Sequence, residues 1–256
     1  NAYFDKLEFE HGIKLTDNQK GWYIRQERLL GADMARENPS YPEEAFEQAV
    51  LGSYFSAQLS HADKHGNIGD FQYRPGYEVN TFWDLGRNDS TAIWIHQSIG
   101  GRNKFVGYYE NSGEHISHYI LWLANWAKER NAQFRDHYWP HDGDRQDLFL
   151  EQGRLAVAEE QGFFPVIVPR VQNKMESIDA ARRVFAQCDF DATSCSEGIK
   201  HLRAYRKEYD ERREVYKDRP LHNEASHCAD AFQCFALGYD HEPAQKIPKF
   251  VPRRVL

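Results

Sequence analysis

Residues 79–110 read VNTFWDLGRNDSTAIWIHQSIGGRNKFVGYYE. The stretch contains three runs rich in β-branched and aromatic residues, 79–85, 91–99 and 104–110, which are typical of strands. A Gly-Gly pair between the second and third runs predicts a hairpin turn. Because the connections are this short, we expect three antiparallel strands that start the sheet.

The chain that follows alternates between helical and strand patterns. Apolar residues at helical spacing from Ile116 to Trp126 predict a helix. Residues 134–139 predict a fourth strand, 145–161 a helix, and 163–168 a fifth strand. The order β-β-β-α-β-α-β predicts an α/β fold: a mixed five-stranded sheet with helices on both faces.

The last third of the chain is predicted to be mostly helical. Helices are expected over 174–188, 196–209 and 223–238. The charged segment 210–221 predicts a hairpin or a loop. In terms of domains, we expect a helical linker or docking segment over 1–65, the α/β domain over 66–242, and an extended basic tail over 243–256.

Composition excludes several classes of protein. The chain has 256 residues, with 32 Lys+Arg against 39 Asp+Glu and a net charge of -7, which argues against coating nucleic acid by bulk positive charge. This charge does not exclude a nuclease, since metal ions and local basic patches can bind DNA. No run approaches the roughly 18 apolar residues of a membrane helix, and no secretory signal opens the sequence, so we expect neither membrane insertion nor secretion. Four cysteines without a CxxC pair indicate free thiols rather than a zinc ribbon or disulfides.

Three aspartates carry the predicted chemistry. Asp84 ends the first strand, Asp142 ends the fourth, and Asp230 lies within the last helix. We expect the first and fourth strands to be neighbours, which brings the first two carboxylates together, and a helix crossing that edge can supply the third. An aspartate among apolar residues is costly to bury without a partner, and a divalent cation provides one. Oxygen ligands without thiolates favour Mg²⁺ or Mn²⁺, and two such ions can hydrolyse a phosphodiester.

Each of these positions also has a simpler interpretation. An Asp at a strand end is commonly a turn or cap residue, and residue pattern alone leaves the two interpretations about equal. Asp89 is either a turn residue or a fourth acid near the metals. His227 lies three residues before Asp230, so it shares a helix face with that residue. It either orients the carboxylate or lies near the attacking water, or it is a packing or capping residue of the helix.

A basic segment precedes the last helix, interleaved with acids. Phosphate contacts here would position DNA without reading its sequence, and a solvated charged face is an equally good interpretation. The residues concerned are Lys200, Arg203, Arg206, Lys207, Arg212, Arg213 and Lys217.

Four segments together resemble the C-terminal nuclease domain of the large terminase subunit of tailed bacteriophages and prophages. They are YPEEAF (Tyr41–Phe46), FWDLGRNDSTAI (Phe82–Ile93), HYWPHDG (His137–Gly143) and HNEASHCADAFQC (His222–Cys234). The resemblance implies an RNase H-like fold and a metal-dependent endonuclease that cuts double-stranded, concatemeric viral DNA during packaging. It implies that Asp84, Asp142 and Asp230 are the catalytic metal ligands, and it extends less firmly to Asp89.

The resemblance also implies partners and a location. These are double-stranded DNA, the portal protein, the small terminase subunit and an ATPase domain, in the host cytoplasm at the portal. The chain departs from a whole large subunit in having no GxxxxGK[ST] phosphate-binding loop, so we expect it not to hydrolyse ATP. Since the sequence opens on Asn1, we expect the motor domain to lie outside it.

Two other functions fit the same residues. One is another RNase H-like DNA-processing enzyme, such as a transposase or a Holliday-junction resolvase. The other is a non-catalytic module that docks on DNA or on the portal, whose carboxylates would show no metal dependence.

Overall fold

A computed structural model describes residues 2–30, 34, 38–41, 52–86, 90–141, 143, 153–210, 212–213 and 215–239. Internal contacts divide these residues into two units. The larger comprises Ala57–Tyr205 and the chain from His222 onward, and the smaller comprises the chain up to Ser56 together with Arg206–Leu221. None of the described helices is both long and apolar enough to cross a membrane.

The described elements are named here in chain order. The helices are α1 (Ala2–His11), α2 (Asp17–Leu30), α3 (Ser56–Lys64), α4 (Ile116–Arg130), α5 (Arg154–Glu160), α6 (Lys174–Val184), α7 (Ser196–Ala204) and α8 (Glu224–Gly238). The strands are β1 (Ile68–Gly69), β2 (Val79–Asp84), β3 (Ser90–Ile99), β4 (Arg102–Ser112), β5 (Phe134–Trp139), β6 (Val166–Ile167), β7 (Cys188–Asp191), β8 (Lys207–Asp210) and β9 (Val215–Pro220).

The larger unit is built on a seven-stranded mixed sheet. Its strand order is β1-β7-β4-β3-β2-β5-β6. Strands β2, β3 and β4 are antiparallel neighbours, as their short connections predict, whereas β5 pairs with β2 in parallel. Strand β2 is therefore internal to the sheet, and its carboxyl end lies beside that of β5.

Successive side chains of β2 and β3 point to opposite faces of the sheet, and each face has its own core. Trp83 and Ile93 point to one face, where they pack with α4 through Tyr119 and Leu123. Phe82 and Trp94 point to the other face, where their rings contact Phe235 and Phe232 of α8. Since both faces are covered, these strands are buried almost throughout. The predicted mixed α/β sheet with helices on both faces is confirmed.

The sheet has two more strands than the five predicted. Strand β7 was not predicted, and the helix predicted over 174–188 reaches only its first residue; in the structure α6 stops at Val184 and a 3₁₀ turn leads into the strand. Its sequence, CDFD, is unusual for a strand because aspartate is depleted in strands. Here Asp189 is paired with Arg102, and Asp191 accepts hydrogen bonds from the backbone N–H groups of Phe71 and Ser194. Strand β1 is two residues long, too short to show a pattern.

Two further elements are shorter than predicted. Helix α7 was expected to reach residue 209, but it ends at Ala204. The fifth predicted strand, 163–168, is reduced to Val166–Ile167 as β6. Of the helix predicted over 145–161, the described part is α5, and residues 144–152 lie outside the described residues.

The smaller unit contains the hairpin that the charged segment predicted. Strands β8 and β9 pair in antiparallel fashion, with Tyr209 opposite Tyr216. Gly52 adopts a positive φ of 85° and lies against the Tyr216 ring, where a side chain would clash. Helices α1 and α2 share a small core that includes Phe4, Leu7 and Tyr23. The predicted domain bounds at 65 and 242 stay a prediction.

Candidate functional site

Asp84 lies at the carboxyl end of β2 and faces α8. It pairs across the sheet with Ala92, and it lies on the same side as Phe82, two residues earlier. His227 of α8 places Nδ1 2.9 Å from Asp84 Oδ2. Because a carboxylate oxygen accepts, the hydrogen lies on Nδ1, which fixes the tautomer of the neutral ring.

Helix α8 is fixed on the sheet by buried contacts along most of its length. The indole Nε1 of Trp94 donates to the backbone carbonyl of Cys228 at 3.0 Å. Residues Ala225 to Ala229 and Ala231 to Phe235 are buried. Asp230 interrupts this run with a side chain that is 32% exposed. The helix therefore holds one partly exposed carboxylate within a run of buried residues.

Asp230 is held by two groups that reach the same oxygen. Lys174, the first residue of α6, places Nζ 2.5 Å from Asp230 Oδ1. Gln233, one turn further along α8, donates from Nε2 to the same oxygen at 3.1 Å. The Lys174 ammonium is the nearest cation to this carboxylate among the described residues.

The two aspartates share one electrostatic environment. Burial, together with the negative charge of Asp230, raises the pKa of Asp84 to about 6. The hydrogen bond from His227 and the positive charge of Lys174 act in the opposite direction. A nearby cation stabilises the charged form of a carboxylate. This stabilisation is largest where burial and a second carboxylate have raised the pKa.

A cleft of about 280 Å³ opens at this edge of the sheet. It is polar where Asp84, Asp230 and Lys174 line it, and Arg170 adds a second, exposed cation. The remaining lining residues are Pro140, His141, Val168, Pro169, Val171, Gln172, Ser177, Gln233, Cys234 and Leu237.

The donor set fits a hard divalent cation. Asp84 bonds through Oδ2 and Asp230 through Oδ1, which leaves one oxygen of each without a hydrogen bond to any described residue. Carboxylate oxygens are the ligands that Mg²⁺ and Mn²⁺ prefer. The described part of the chain contains no cluster of three or more His, Cys, Asp or Glu residues able to hold a metal.

The predicted site residues divide into those that the structure brings together and those it does not describe. Asp84, Asp230 and His227 come together. His227 hydrogen-bonds to Asp84 rather than to Asp230, with which it was expected to share a helix face, and its role stays a prediction. Asp142 and Asp89 lie outside the described residues, so their roles stay a prediction.

The sequence analysis did not assign Lys174 to this site. It is one of many basic residues, and it lies 56 positions from the carboxylate that it contacts. The only local signal was Asn173, which caps the helix that begins at Lys174. A capped N-terminus fixes the first helical residue and therefore the point from which its side chain extends.

The basic segment is divided between the two units. Lys200 and Arg203 lie on α7 of the larger unit, where they pair with Glu197 and Asp63. Arg206 and Lys207 follow the end of that helix, so the helical spacing predicted for all four is wrong beyond Ala204.

The hairpin residues of the segment differ in their pairing. Lys207 and Lys217 pair across the hairpin with Asp218 and Glu208. Arg212 and Arg213 lie exposed at its turn, with no ion pair to any described residue.

Comparison with known proteins gives likeness in structure only. No protein-family model matches the chain, and no curated protein sequence does. The large terminase of a thermophilic bacteriophage, solved in complex with ATP-gamma-S, matches with a TM-score of 0.54 at 14% identity, over 70% of this chain and 44% of that one. The chain thus spans less than half the length of that protein.

Isolated nuclease structures match over their whole length. The large terminase nuclease of the thermophilic phage G20c with bound magnesium matches with a TM-score of 0.51 at 13% identity, over 75% of this chain and 100% of that one. The same nuclease with bound cobalt gives 0.52 at 12% identity, again over 75% and 100%. The likeness is one of fold, so the chain has the RNase H-like fold of these large terminase nucleases.

Proposed function

We propose that this chain is the nuclease domain of a terminase large subunit, a metal-dependent endonuclease that cuts double-stranded DNA. The observation that carries the proposal is the convergence of Asp84 and Asp230 on one cleft, from residues 146 positions apart in sequence. The fold supports it, since related nucleases have been solved with magnesium and with cobalt.

Asp84 and Asp230 would hold the metal ions, with Asp142 as the third ligand that the resemblance assigns. We propose two ions, Mg²⁺ or Mn²⁺. When bound, such ions supply Lewis-acid stabilisation of the phosphodiester and lower the pKa of a water nucleophile. Each aspartate contributes the oxygen that its protein partners leave unused. Asp89 is proposed as an accessory acid.

Other residues at the site orient one of the two carboxylates and neutralise negative charge on the other. His227 donates to Asp84 Oδ2 and thereby restricts rotation of that carboxylate. Lys174 neutralises part of the negative charge on Asp230, which lowers the cost of keeping two carboxylates close together. Arg170 and Lys174 also give the cleft positive charge, which favours approach of a phosphodiester.

The basic residues are proposed to contact the DNA backbone. Arg212 and Arg213 are the strongest candidates, because they are exposed and unpaired among the described residues. Lys200, Arg203, Lys207 and Lys217 would exchange a carboxylate for a phosphate. Arg206 is included with these on sequence grounds.

The biological setting follows from the same proposal. The substrate would be concatemeric viral DNA in the host cytoplasm. The partners would be the portal protein, the small terminase subunit and an ATPase domain. These are proposals for the whole large subunit.

Cleavage of supercoiled plasmid with Mn²⁺ tests the proposal. The wild-type chain should cut, EDTA should stop it, and D84N or D230N should reduce the rate by about 100-fold or more, since each removes a ligand charge. D179N is the matched control, because Asp179 lies on α6 and pairs with Arg182 outside the cleft. D179N should cut like wild type.

Three outcomes would contradict the proposal. Equal cutting by D84N and wild type would refute the assignment of the site. DNA binding without cutting, at any Mn²⁺ concentration, would favour the docking module. Strand transfer between DNA molecules would favour a transposase.

A further inference from the structure

Gln233 is a buried amide that bridges Asp230 and α6. Its side chain donates from Nε2 to Asp230 Oδ1 at 3.1 Å, and its Oε1 accepts from Ser177 Oγ at 2.5 Å. Gln233 is only 2% exposed and Ser177 only 4%. The pair therefore links the two helices that line one side of the cleft.

The Asp230 carboxylate determines which end of the amide faces it, since a carboxylate only accepts and the NH₂ end must therefore point to it. Oε1 then faces Ser177. Because Oε1 and Ser177 Oγ are 2.5 Å apart, the single hydroxyl proton of Ser177 lies between them rather than on the backbone carbonyl of Lys174, 2.7 Å away. A flipped amide would oppose two acceptors, Oε1 and the carboxylate, in a buried place.

The result for Asp230 is an unequal pair of oxygens. Oδ1 accepts from both Lys174 Nζ and Gln233 Nε2, whereas Oδ2 has no hydrogen bond among the described residues. Rotating the carboxylate would break the Gln233 bond and leave a buried N–H unsatisfied, which typically costs about 1–3 kcal/mol. The bonds to Oδ1 thus define where Oδ2 lies.

We propose that the Ser177–Gln233 pair is a positioning device that presents Asp230 Oδ2 to a divalent cation. The proposal rests on the proposed function, because it assigns the metal to the same cleft. Ser177 and Gln233 touch neither metal nor substrate, so they are positioning residues. Partners of metal ligands typically affect metal affinity by about 10- to 100-fold.

A purely structural role for Gln233 predicts that its removal changes stability and not metal affinity in particular. Removing any buried, hydrogen-bonded glutamine lowers stability, whether or not it orients a ligand. Gln97 provides the matched control, since it is 0% exposed and exchanges hydrogen bonds with the backbone of Arg74 and Tyr77. It lies near the far end of β3, whose other end pairs with Asp84 through Ala92.

The experiment is calorimetric titration of Mn²⁺ into metal-free protein, with thermal unfolding of the same samples. Q233M should weaken Mn²⁺ binding by about 10-fold. S177A keeps Gln233 intact and removes only its hydrogen-bond partner, so it should weaken Mn²⁺ binding by a smaller factor. It is the test variant if Q233M fails to fold. Q97M should lower the melting temperature and leave the Mn²⁺ affinity unchanged.

The outcomes separate this inference from the function on which it rests. Wild-type affinity in both Q233M and S177A, with binding lost in D230N, would overturn the positioning role and leave the metal site intact. Loss of affinity in Q97M equal to that in Q233M would also overturn it, since the effect would then follow stability. If wild type and D230N take up Mn²⁺ equally or not at all, the proposed function itself fails.

Discussion

His137 should make the fold sensitive to mild acid. It lies on β5 opposite Thr81 of β2, in the pairing that joins β5 to the strand that ends at Asp84. Thr81 Oγ1 accepts from Trp83 Nε1 at 2.7 Å and lies 2.6 Å from His137 Nδ1. Burial lowers the pKa of His137 from 6.5 to about 3.

The sign and size of the effect follow from that shift. Since the folded-state pKa lies below the unfolded value, the stability from neutral His137 is complete above pH 6.5 and is lost as the pH falls towards 3. At pH 5 the unfolded chain is protonated at this position and the folded chain is not. At this pH the pKa of the unfolded chain lies about 1.5 units above the pH, which corresponds to about 2 kcal/mol of lost stability at 1.36 kcal/mol per unit.

H137N isolates this contribution in urea unfolding at pH 7 and pH 5. Asparagine can place an acceptor near Thr81 but carries no titratable group. The variant also loses the stacking on Phe163, whose ring centroid lies 3.9 Å away, but that loss is equal at both pH values. We expect wild type to lose about 2 kcal/mol more than H137N between pH 7 and pH 5. Equal losses in the two proteins would refute the reasoning.

Three further predictions concern packing and the cleft. G198A should destabilise the protein by about 1–3 kcal/mol in urea unfolding, because the added carbon would overlap the Trp94 ring. G21A in α2 is its control, since the added carbon would meet only the end of the Arg25 side chain at an ordinary 3.7 Å, and it should be neutral or stabilising. K174Q should reduce plasmid cleavage by about 10-fold or more while the protein still unfolds cooperatively, and undiminished cleavage would exclude Lys174 from the site. Mn²⁺ at 100 times its Kd should stabilise wild type by about 2.7 kcal/mol and leave D84N unchanged, and equal stabilisation would place the ion elsewhere.

The sequence was most informative where short connections and alternation agree. The β2–β4 meander, the helix from Ile116 and the last helix could be predicted, because each has a repeating pattern over many residues. Strand β7 could not, since its two aspartates are compensated by Arg102 and by backbone N–H groups distant in sequence. The end of α7 at Ala204 was missed because charged residues continue at helical spacing beyond it.

The candidate site was predictable in part for a similar reason. Asp230 lies among apolar residues, where a carboxylate is out of place, whereas Asp84 at a strand end stood out only together with the other acids and the motif that contains it. Lys174 and Gln233 are ordinary in their own contexts. Their part in the site arises from the packing of α6 on α8, which no local pattern encodes.

The central claim is that Asp84 and Asp230 hold a divalent cation between them. An anomalous difference map from a crystal soaked in Mn²⁺ tests it most directly. The account predicts a peak in the cleft at coordinating distance from an oxygen of each carboxylate, and no such peak in D230N. A map of active protein without a peak beside Asp84 and Asp230, or with its peak elsewhere, would contradict it.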